Sequence, residues 1–320
     1  MFKELKNKTI LVTGATGLIG KAIVFRLLAI GANVVVLVRD RQKAERLFGD
    51  NVQYIVSDIT SFEVKEMNLD YIIHGASNTS SKAFIENPVE VSFTALDGTR
   101  RVLELAKLCK IQGLVYLSSM EVYGTPTTDD KVFEDSSTSL DSMKVRSAYP
   151  ESKRMCECLC SSYASEYDVP AKVVRLTQTF GPGVQYDDGR VFAQFARCAI
   201  EEKDIILHTK GETKRNYLYT EDAVDAILTV LLKGKVGEAY NAANEDTYCS
   251  IYEMANLVAK ECSEGCINVL VEEQDVSKFG YAPTLHMNLN TRKLRDLGWK
   301  PSTDLKNMFT NMISDMKKQR

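Results

Sequence analysis

Tyr149 and Lys153 are the residues whose types and spacing most clearly indicate chemistry in this chain. They stand four positions apart, so on a helix they lie on one face. A lysine ammonium placed there can stabilise a phenolate and lower the pKa of the tyrosine towards the working range. Ser118 and Ser119 end an apolar, strand-like run, and a serine hydroxyl nearby can orient a substrate oxygen. Together these residues predict a proton-transfer site.

A glycine-rich turn near the start of the chain indicates which ligand binds beside that site. Gly14, Gly17 and Gly20 are spaced by three, after a predicted strand and at the start of a predicted helix. Glycine permits the tight turn, lets the backbone approach a pyrophosphate and allows close packing, while the helix N-terminus favours the phosphate charge. The turn therefore predicts a dinucleotide site, with contacts from Gly14, Thr16, Gly17, Leu18, Ile19 and Gly20.

The end of the second predicted strand bears on which dinucleotide binds. An acidic residue at this tip holds the ribose 2′-hydroxyl of NAD, whereas an arginine accepts the 2′-phosphate of NADP. The usual acidic position falls on Val38, and Arg39 follows it, which favours NADP slightly. Asp40 could still reach a ribose and Arg39 could stack on adenine, so the cofactor is NAD or NADP.

Two further segments are predicted to contact the cofactor. Asp58 follows the third strand beside Ile59, and its carboxylate could accept a hydrogen bond from the adenine amino group. It could equally be a turn-forming aspartate. Gly75, Ala76 and Ser77 follow the fourth strand, where small residues let the backbone pass close to the cofactor.

The elements that must position these residues alternate between strand and helix. Apolar runs at 9–12, 33–38, 52–56, 71–73, 114–117 and 172–176 are separated by helical segments such as 18–30. Runs that are apolar on both faces are typical of a parallel sheet covered on both sides. The alternation predicts an α/β, doubly wound parallel sheet of the Rossmann type. No helix is clear between Lys65 and Asp70.

The pattern loosens after residue 176. It continues with predicted helices at 191–202, at 221–232 and from Ser250, and with a loop at Tyr281-Ala282-Pro283 before a final helix. We therefore predict a dinucleotide-binding domain over 1–176 and a smaller C-terminal α/β substrate lobe over 177–320, interleaved with the sheet. Such a lobe would pack on the carboxyl edge of the sheet, where ligands bind in these folds.

Bulk composition is that of a globular protein. The 320 residues carry a net charge of −3 and are 44% hydrophobic, which gives no electrostatic argument for nucleic acid. No apolar run approaches the roughly 20 residues that span a membrane, and the charged N-terminus is unlike a signal peptide, so a cytoplasmic location is expected. No metal site is expected, because Cys156, Cys158 and Cys160 diverge on a helix and are expected to be buried and reduced. His74 ends an apolar strand and is expected to be structural.

These motifs together resemble the extended short-chain dehydrogenase/reductase superfamily, in its nucleotide-sugar epimerase/dehydratase branch. The resemblance covers nearly the whole chain. It rests on the segments Thr13–Gly20, Ser118–Gly124, Tyr149–Lys153, Arg175–Gly183, Arg215–Asp222 and Leu297–Trp299. It implies an NAD(P)-dependent enzyme that acts on a nucleotide-diphosphate sugar through a transient 4-keto intermediate, and a homodimer formed by helices near 94–108 and 150–163.

The same resemblance implies roles for individual residues. Tyr149 would be the acid/base on a sugar hydroxyl, and Lys153 would hold the nicotinamide ribose and depress the pKa of Tyr149. Ser119, rather than Ser118, matches the catalytic Ser/Thr of the family. The substrate-binding residues implied are Ser119, Gln178, Arg190 and Arg215, with Gln178 and Arg215 at the phosphates.

Glu121 leaves the reaction open. Dehydratases of the family carry Thr-Asp-Glu or Thr-Ser-Glu where this chain has Ser119-Met120-Glu121. Methionine cannot donate a proton, so Glu121 alone fits a dehydratase that lacks the aspartate, a decarboxylase, or a carboxylate turned to solvent beside an epimerase. Rival functions are an NADPH-dependent reductase of a 4-keto sugar, which Arg39 favours, and a cofactor sensor without chemistry, which the intact catalytic set disfavours.

Overall fold

The computed structural model describes residues 2–274 and 284–319, so the loop predicted at Tyr281-Ala282-Pro283 lies outside them. The strands are β1 Thr9–Thr13, β2 Asn33–Val38, β3 Gln53–Val56, β4 Tyr71–His74, β5 Gly113–Ser119, β6 Lys131–Val132, β7 Ala171–Leu176, β8 Gln178–Phe180, β9 Ile205–Leu207, β10 Lys214–Tyr219, β11 Ala239–Ala242, β12 Asn244–Ser250, β13 Val269–Val271 and β14 His286–Leu289. The α-helices are α1 Leu18–Ile30, α2 Arg41–Phe48, α3 Ala83–Glu86, α4 Pro88–Cys109, α5 Ala148–Tyr167, α6 Val191–Glu201, α7 Thr220–Lys233, α8 Ile251–Leu257, α9 Arg292–Arg295 and α10 Leu305–Lys318.

The main sheet is parallel and doubly wound, as predicted. Within the described ranges it has seven strands in the order β11-β7-β5-β4-β1-β2-β3. The order reverses between β1 and β4, and in open α/β sheets ligands bind at that point, outside the carboxyl ends of the strands. Thr13, His74 and Ser119 end three neighbouring strands at this edge.

The sheet is apolar on both faces because each face is covered by helices. Successive residues of β2 alternate between two cores: Val34 and Val36 pack with residues of α1 and α7, and Val35 and Leu37 pack with residues of α4 and α5. This two-residue period follows from the pleat of a strand. It explains why the predicted strands read as continuous apolar runs.

A second sheet forms the rest of the C-terminal part. Its order is β12-β10-β14-β6, and β8 pairs with β10. A separate apolar core joins α6, α8 and α10. The two parts interleave, since β11 and α7 follow residue 176 yet join the main sheet and its core, while β6 precedes it and joins the second sheet. The domain boundary at residue 176 stays a prediction.

Several smaller expectations concern single segments and residues. Residues 65–70 contain no helix. Cys156 and Cys160 are buried and free, but Cys158 is exposed, contrary to the expectation for all three, because it lies on the opposite side of α5. No helix in the described part of the chain is long and apolar enough to cross a membrane.

Candidate active site

The glycine-rich turn lies at the carboxyl edge of the sheet, between β1 and α1. Gly14 has a φ of +71°, and a Cβ on it would lie 2.7 Å from the carbonyl carbon of Gly75. A Cβ on Gly20 would lie 2.1 Å from the Gly14 carbonyl oxygen, so neither position accepts a side chain. No side chain of the described residues caps α1, whose first-turn N–H groups are therefore open to phosphate oxygens. The turn fits the pyrophosphate of a dinucleotide.

The residues expected at the adenosine end are near one another but engaged differently. The Arg39 side chain is 82% exposed, and its Nη1 lies 4.0 Å from Asp58 Oδ2. Asp58 Oδ1 accepts hydrogen bonds from the backbone and hydroxyl of Thr60, which lower the pKa of Asp58. Asp40 caps α2 by accepting from Lys43 N. Arg39 is therefore the less restrained charge at this tip, while Asp58 is the turn-forming aspartate with one carboxylate oxygen remaining.

Buried hydrogen bonds link the ends of β1 and β4, next to the segment 75–77 that is predicted to contact the cofactor. His74 Nδ1 lies 2.7 Å from Thr13 Oγ1, and His74 Nε2 lies 3.1 Å from Thr99 Oγ1. Burial, reinforced by the charge of Lys153, lowers the pKa of His74 to about 3. The neutral imidazole is a structural link, as its position in the sequence predicts. Ser77 Oγ, above it, is buried without a hydrogen-bond partner among the described residues, which suits a ligand-facing group.

The predicted catalytic residues come together at the end of β5. Tyr149 lies in the first turn of α5 and is buried, and the side chain of Ser119 is near enough to lower its pKa. Lys153 lies one turn further along α5, and its Nζ donates to the Leu117 carbonyl at 2.8 Å. That Nζ is 5.9 Å from the centre of the Tyr149 ring. A hydroxyl pair with a buried ammonium beside it can move a proton to or from a sugar hydroxyl.

The pKa of Tyr149 differs from the sequence-based expectation. Burial raises it well above the ordinary value, the Glu121 carboxylate raises it further, and the Ser119 hydrogen bond and the Arg146 charge lower it only in part. The expected direction of this shift is therefore wrong, because burial, the largest effect, raises the pKa, and the Lys153 ammonium donates to the Leu117 carbonyl. Burial also lowers the pKa of Lys153 to about 8. Burial therefore disfavours the phenolate of Tyr149 and the ammonium of Lys153.

Arg146 is a charged residue of this site that sequence analysis missed. Its Nη1 donates to Glu121 Oε2 at 2.8 Å and its Nη2 donates to Glu121 Oε1 at 3.2 Å. The Glu121 side chain is 25% exposed, so it is neither turned freely to solvent nor alone. The position of Arg146, three residues before Tyr149, was the available signal, but its partner is 25 residues away in sequence.

Phe84 covers the catalytic tyrosine and was also missed. Its ring stacks on Tyr149 with centroids 4.1 Å apart and an interplanar angle of 12°. Two cavities, of 360 and 640 Å³, lie elsewhere, and Tyr149 lines neither. Phe84 therefore covers one face of the Tyr149 ring.

The predicted substrate-binding residues fall into two groups. Gln178 and Arg215 lie on the paired strands β8 and β10, and Gln178 Oε1 and Arg215 Nε are buried without a partner among the described residues. Such unpaired groups suit a ligand that supplies both an acceptor and a donor. Arg190, in contrast, pairs with Asp188 at 2.6 Å and lies over Phe192, and no described contact joins it to the other two.

A second polar cluster holds the catalytic turn from behind. Ser118, Arg175 and Asn241 are aligned across β5, β7 and β11. Ser118 donates to Glu157 at 2.5 Å, and Arg175 Nη2 also donates to Glu157 at 2.7 Å. Arg175 Nη1 donates to Tyr123 at 2.8 Å, and Tyr123 in turn donates to Asn241 at 2.7 Å. We call these five residues the support network. It holds both ends of the segment that carries Ser119 and Glu121.

Comparisons with known proteins show the family and the fold of this chain. Residues 10–243 match the model of the NAD dependent epimerase/dehydratase family. UDP-glucuronic acid decarboxylase 1 of Xenopus tropicalis is 29% identical over 322 residues, which cover 99% of this chain and 74% of the relative. Human dTDP-D-glucose 4,6-dehydratase is 27% identical over 319 residues, covering 93% and 87%. The crystal structure of UDP-glucose 4-epimerase from Thermotoga maritima has a TM-score of 0.84 at 21% identity, covering 97% and 99%, and shows the shared fold.

Proposed function

The chain belongs to the NAD-dependent epimerase/dehydratase family, and from that premise we propose that it transiently oxidises a nucleotide-diphosphate sugar to a 4-keto intermediate. The observation that carries the proposal is the meeting of Tyr149, Ser119 and Lys153 at the end of β5, with Lys153 one helical turn from Tyr149. This set lies on the same edge of the sheet as the glycine-rich turn, so a dinucleotide and a sugar can meet there.

Each residue has a role that its surroundings support. Ser119 orients the sugar hydroxyl, and Tyr149 takes the proton from that hydroxyl and returns it later. Lys153, one helical turn from Tyr149, holds the nicotinamide ribose. The nicotinamide dinucleotide supplies the hydride chemistry when bound. Arg215 binds the diphosphate, because its buried Nε is an unpaired donor among the described residues. Gln178, on the paired strand β8, can donate to the diphosphate from its amide nitrogen, and its unpaired Oε1 accepts from a donor of the ligand.

The cofactor is NAD or NADP, and Arg39 favours NADP. Its exposed side chain can turn to a 2′-phosphate, since its contact with Asp58 is only a 4.0 Å ion pair between exposed groups. Asp40 competes weakly for a ribose, because one of its carboxylate oxygens caps α2.

Glu121 determines the fate of the 4-keto intermediate. Its position beside Tyr149 supports a base acting near the new ketone, whereas Met120 leaves the dehydratase set without its aspartate. Epimerisation, dehydration and decarboxylation all start from the same 4-keto species. A net NADPH-dependent reduction is the rival that Arg39 favours.

A homodimer is part of the proposal. Val89 and Phe93 of α4 are 62% and 56% exposed, and Met155 of α5 is 47% exposed. Large apolar side chains exposed on neighbouring helices are suited to packing against a second copy. Their positions fall within or close to the helical segments that the family resemblance implies for the interface.

Mass spectrometry of the purified protein tests both the cofactor and the assembly. Under native conditions we expect twice the subunit mass with a retained dinucleotide, and denaturation then identifies that dinucleotide. Retained NAD or NADP supports a cofactor regenerated within each cycle, because the hydride taken from the sugar is returned. An empty protein that consumes added NADPH stoichiometrically would replace the proposal with the reductase.

A further inference from the structure

One edge of the Arg146 guanidinium carries a donor, Nε, that has no hydrogen-bond partner among the described residues. Arg146 lies in the 3-10 turn Val145–Ser147 that leads into α5. Its two Nη atoms face the Glu121 carboxylate, one to each oxygen. A guanidinium has five N–H donors in a planar fork, so this pair leaves three of them. Arg146 Nε is one of the three, and it is buried without a partner among the described residues.

An unused edge of this kind matches one type of ligand. Nε and the neighbouring Nη present two parallel N–H groups, the arrangement that binds a carboxylate through both oxygens. A single hydroxyl would satisfy only one of them. A second carboxylate next to Glu121 would be repelled if the two faced each other alone, but a guanidinium placed between them contacts both.

We propose that Arg146 selects a nucleotide-linked uronic acid, holding Glu121 with one edge and the substrate carboxylate with the other. This inference rests on the proposed function, since it places the sugar beside Tyr149. It also narrows the chemistry. A uronic acid has no hydroxyl at C6, so 4,6-dehydration is impossible for it, in agreement with Met120 in place of the acidic residue. Epimerisation and decarboxylation remain.

Phe84 lies next to both Arg146, which we propose selects the substrate, and Tyr149, the predicted acid/base. Its ring stacks on Tyr149 at 4.1 Å, and the guanidinium carbon of Arg146 lies 5.8 Å from the centre of the same ring. The same ring therefore lies against the predicted acid/base and beside the guanidinium, so a sugar bound at the phenol would lie close to Arg146.

Binding measurements test the proposal without relying on turnover. Calorimetry in a Tyr149→Phe background, which cannot complete the reaction, compares UDP-glucuronic acid with UDP-glucose, and GDP-mannuronic acid with GDP-mannose. We expect the uronic acid of one pair to bind at least roughly tenfold more tightly than its neutral partner. Adding Arg146→Met should remove that difference, so that the two sugars of the pair bind with similar affinity.

Two further variants separate charge from geometry and from general damage. Arg146→Lys keeps a cation for Glu121 but has no second edge, so it should also lose most of the preference. Arg26→Met removes an arginine of similar side-chain exposure, 29% against 26%, with its two ion pairs from α1 to Glu221 and Asp225 of α7, and should keep the full preference.

Three results would count against this inference, and one of them would also count against the proposed function. Equal or tighter binding of the neutral sugar, or a preference that survives Arg146→Met, overturns the role of Arg146 alone. Failure of every nucleotide sugar to bind, while a nicotinamide dinucleotide still binds, overturns the proposed function as well. The two failures are therefore distinguishable.

Discussion

Two buried polar clusters flank the same turn after β5, and they differ in how completely they are bonded. The support network of Ser118, Glu157, Arg175, Tyr123 and Asn241 connects each charge to a partner within 3 Å. Pairing with Glu157 and Tyr123 outweighs burial and raises the pKa of Arg175, so its charged form is favoured. The support network therefore stabilises the fold at this turn.

The catalytic cluster has the opposite character. Burial pushes the pKa of Tyr149 up and that of Lys153 down, so each charged form is disfavoured. Arg146 Nε and Ser77 Oγ are buried without partners among the described residues. Incomplete bonding of buried groups destabilises a fold, and it persists where a ligand completes it. We therefore interpret the support network as structural and the cluster around Tyr149 as functional.

The largest expected effect is on turnover, from Tyr149→Phe. Loss of the proton-transferring hydroxyl should reduce kcat by roughly three orders of magnitude. The melting temperature should not fall, because the apolar stack on Phe84 remains. Steady-state kinetics and calorimetry measure both. Tyr163→Phe, a matched change further along α5, should retain activity, and equal losses in the two variants would remove the distinction between the clusters.

Arg175→Met should have the largest effect on stability. It leaves the largely buried Glu157 carboxylate without its cation and with the Ser118 hydroxyl as a remaining donor, which lowers the free energy of unfolding by about 3 kcal/mol. Urea denaturation measures this. The double variant Arg175→Met/Glu157→Leu should recover much of the loss, since it removes the orphaned charge. If Arg175→Met abolished activity at unchanged stability, the support network would have to be reassigned to the catalytic side.

A smaller, pH-dependent effect is expected at His74, below the catalytic cluster. The pKa of His74 is about 3 in the folded chain against an ordinary value of 6.5, so between these values the unfolded chain binds the additional proton. Stability therefore falls as the pH falls through this window, by up to about 1.4 kcal/mol per pH unit relative to His74→Asn. Denaturation series at pH 7.5, 6.0 and 5.0 measure the slopes. Above pH 7.5 the difference between the two proteins should be constant, and parallel slopes below pH 6 would contradict the assignment.

Much of the fold could be predicted from local pattern. The apolar runs at 33–38 and 172–176 correspond to β2 and β7, and the helix at 18–30 has the predicted bounds, because periodicity and glycine placement are local properties. The site was predicted in part. Ser119, Tyr149 and Lys153 meet at one strand end, which the spacing of Tyr149 and Lys153 and the position of Ser119 after a strand already indicated.

The rest of the site depends on contacts between distant segments. Phe84 reaches Tyr149 only because α3 lies over the carboxyl edge of the sheet, and Arg146 pairs with Glu121 across 25 positions. The direction of the Tyr149 pKa shift was mistaken for the same reason. A sequence shows which groups can interact, whereas the extent of burial, which dominates that pKa, is a property of packing.

By itself, the sequence determined the doubly wound sheet and the glycine turn and predicted the proton-transfer residues, since each follows from spacing along the chain. The tertiary structure alone decided which charges are paired and which are left incomplete. Alignment of Ser118, Arg175 and Asn241 across three strands completes one cluster. The other cluster contains Tyr149, buried under Phe84, and the Arg146 guanidinium, whose Nε has no partner among the described residues. A ligand would complete the hydrogen bonding of that cluster. Electrostatic energies depend on distance and solvent access, and both arise only when the chain is folded.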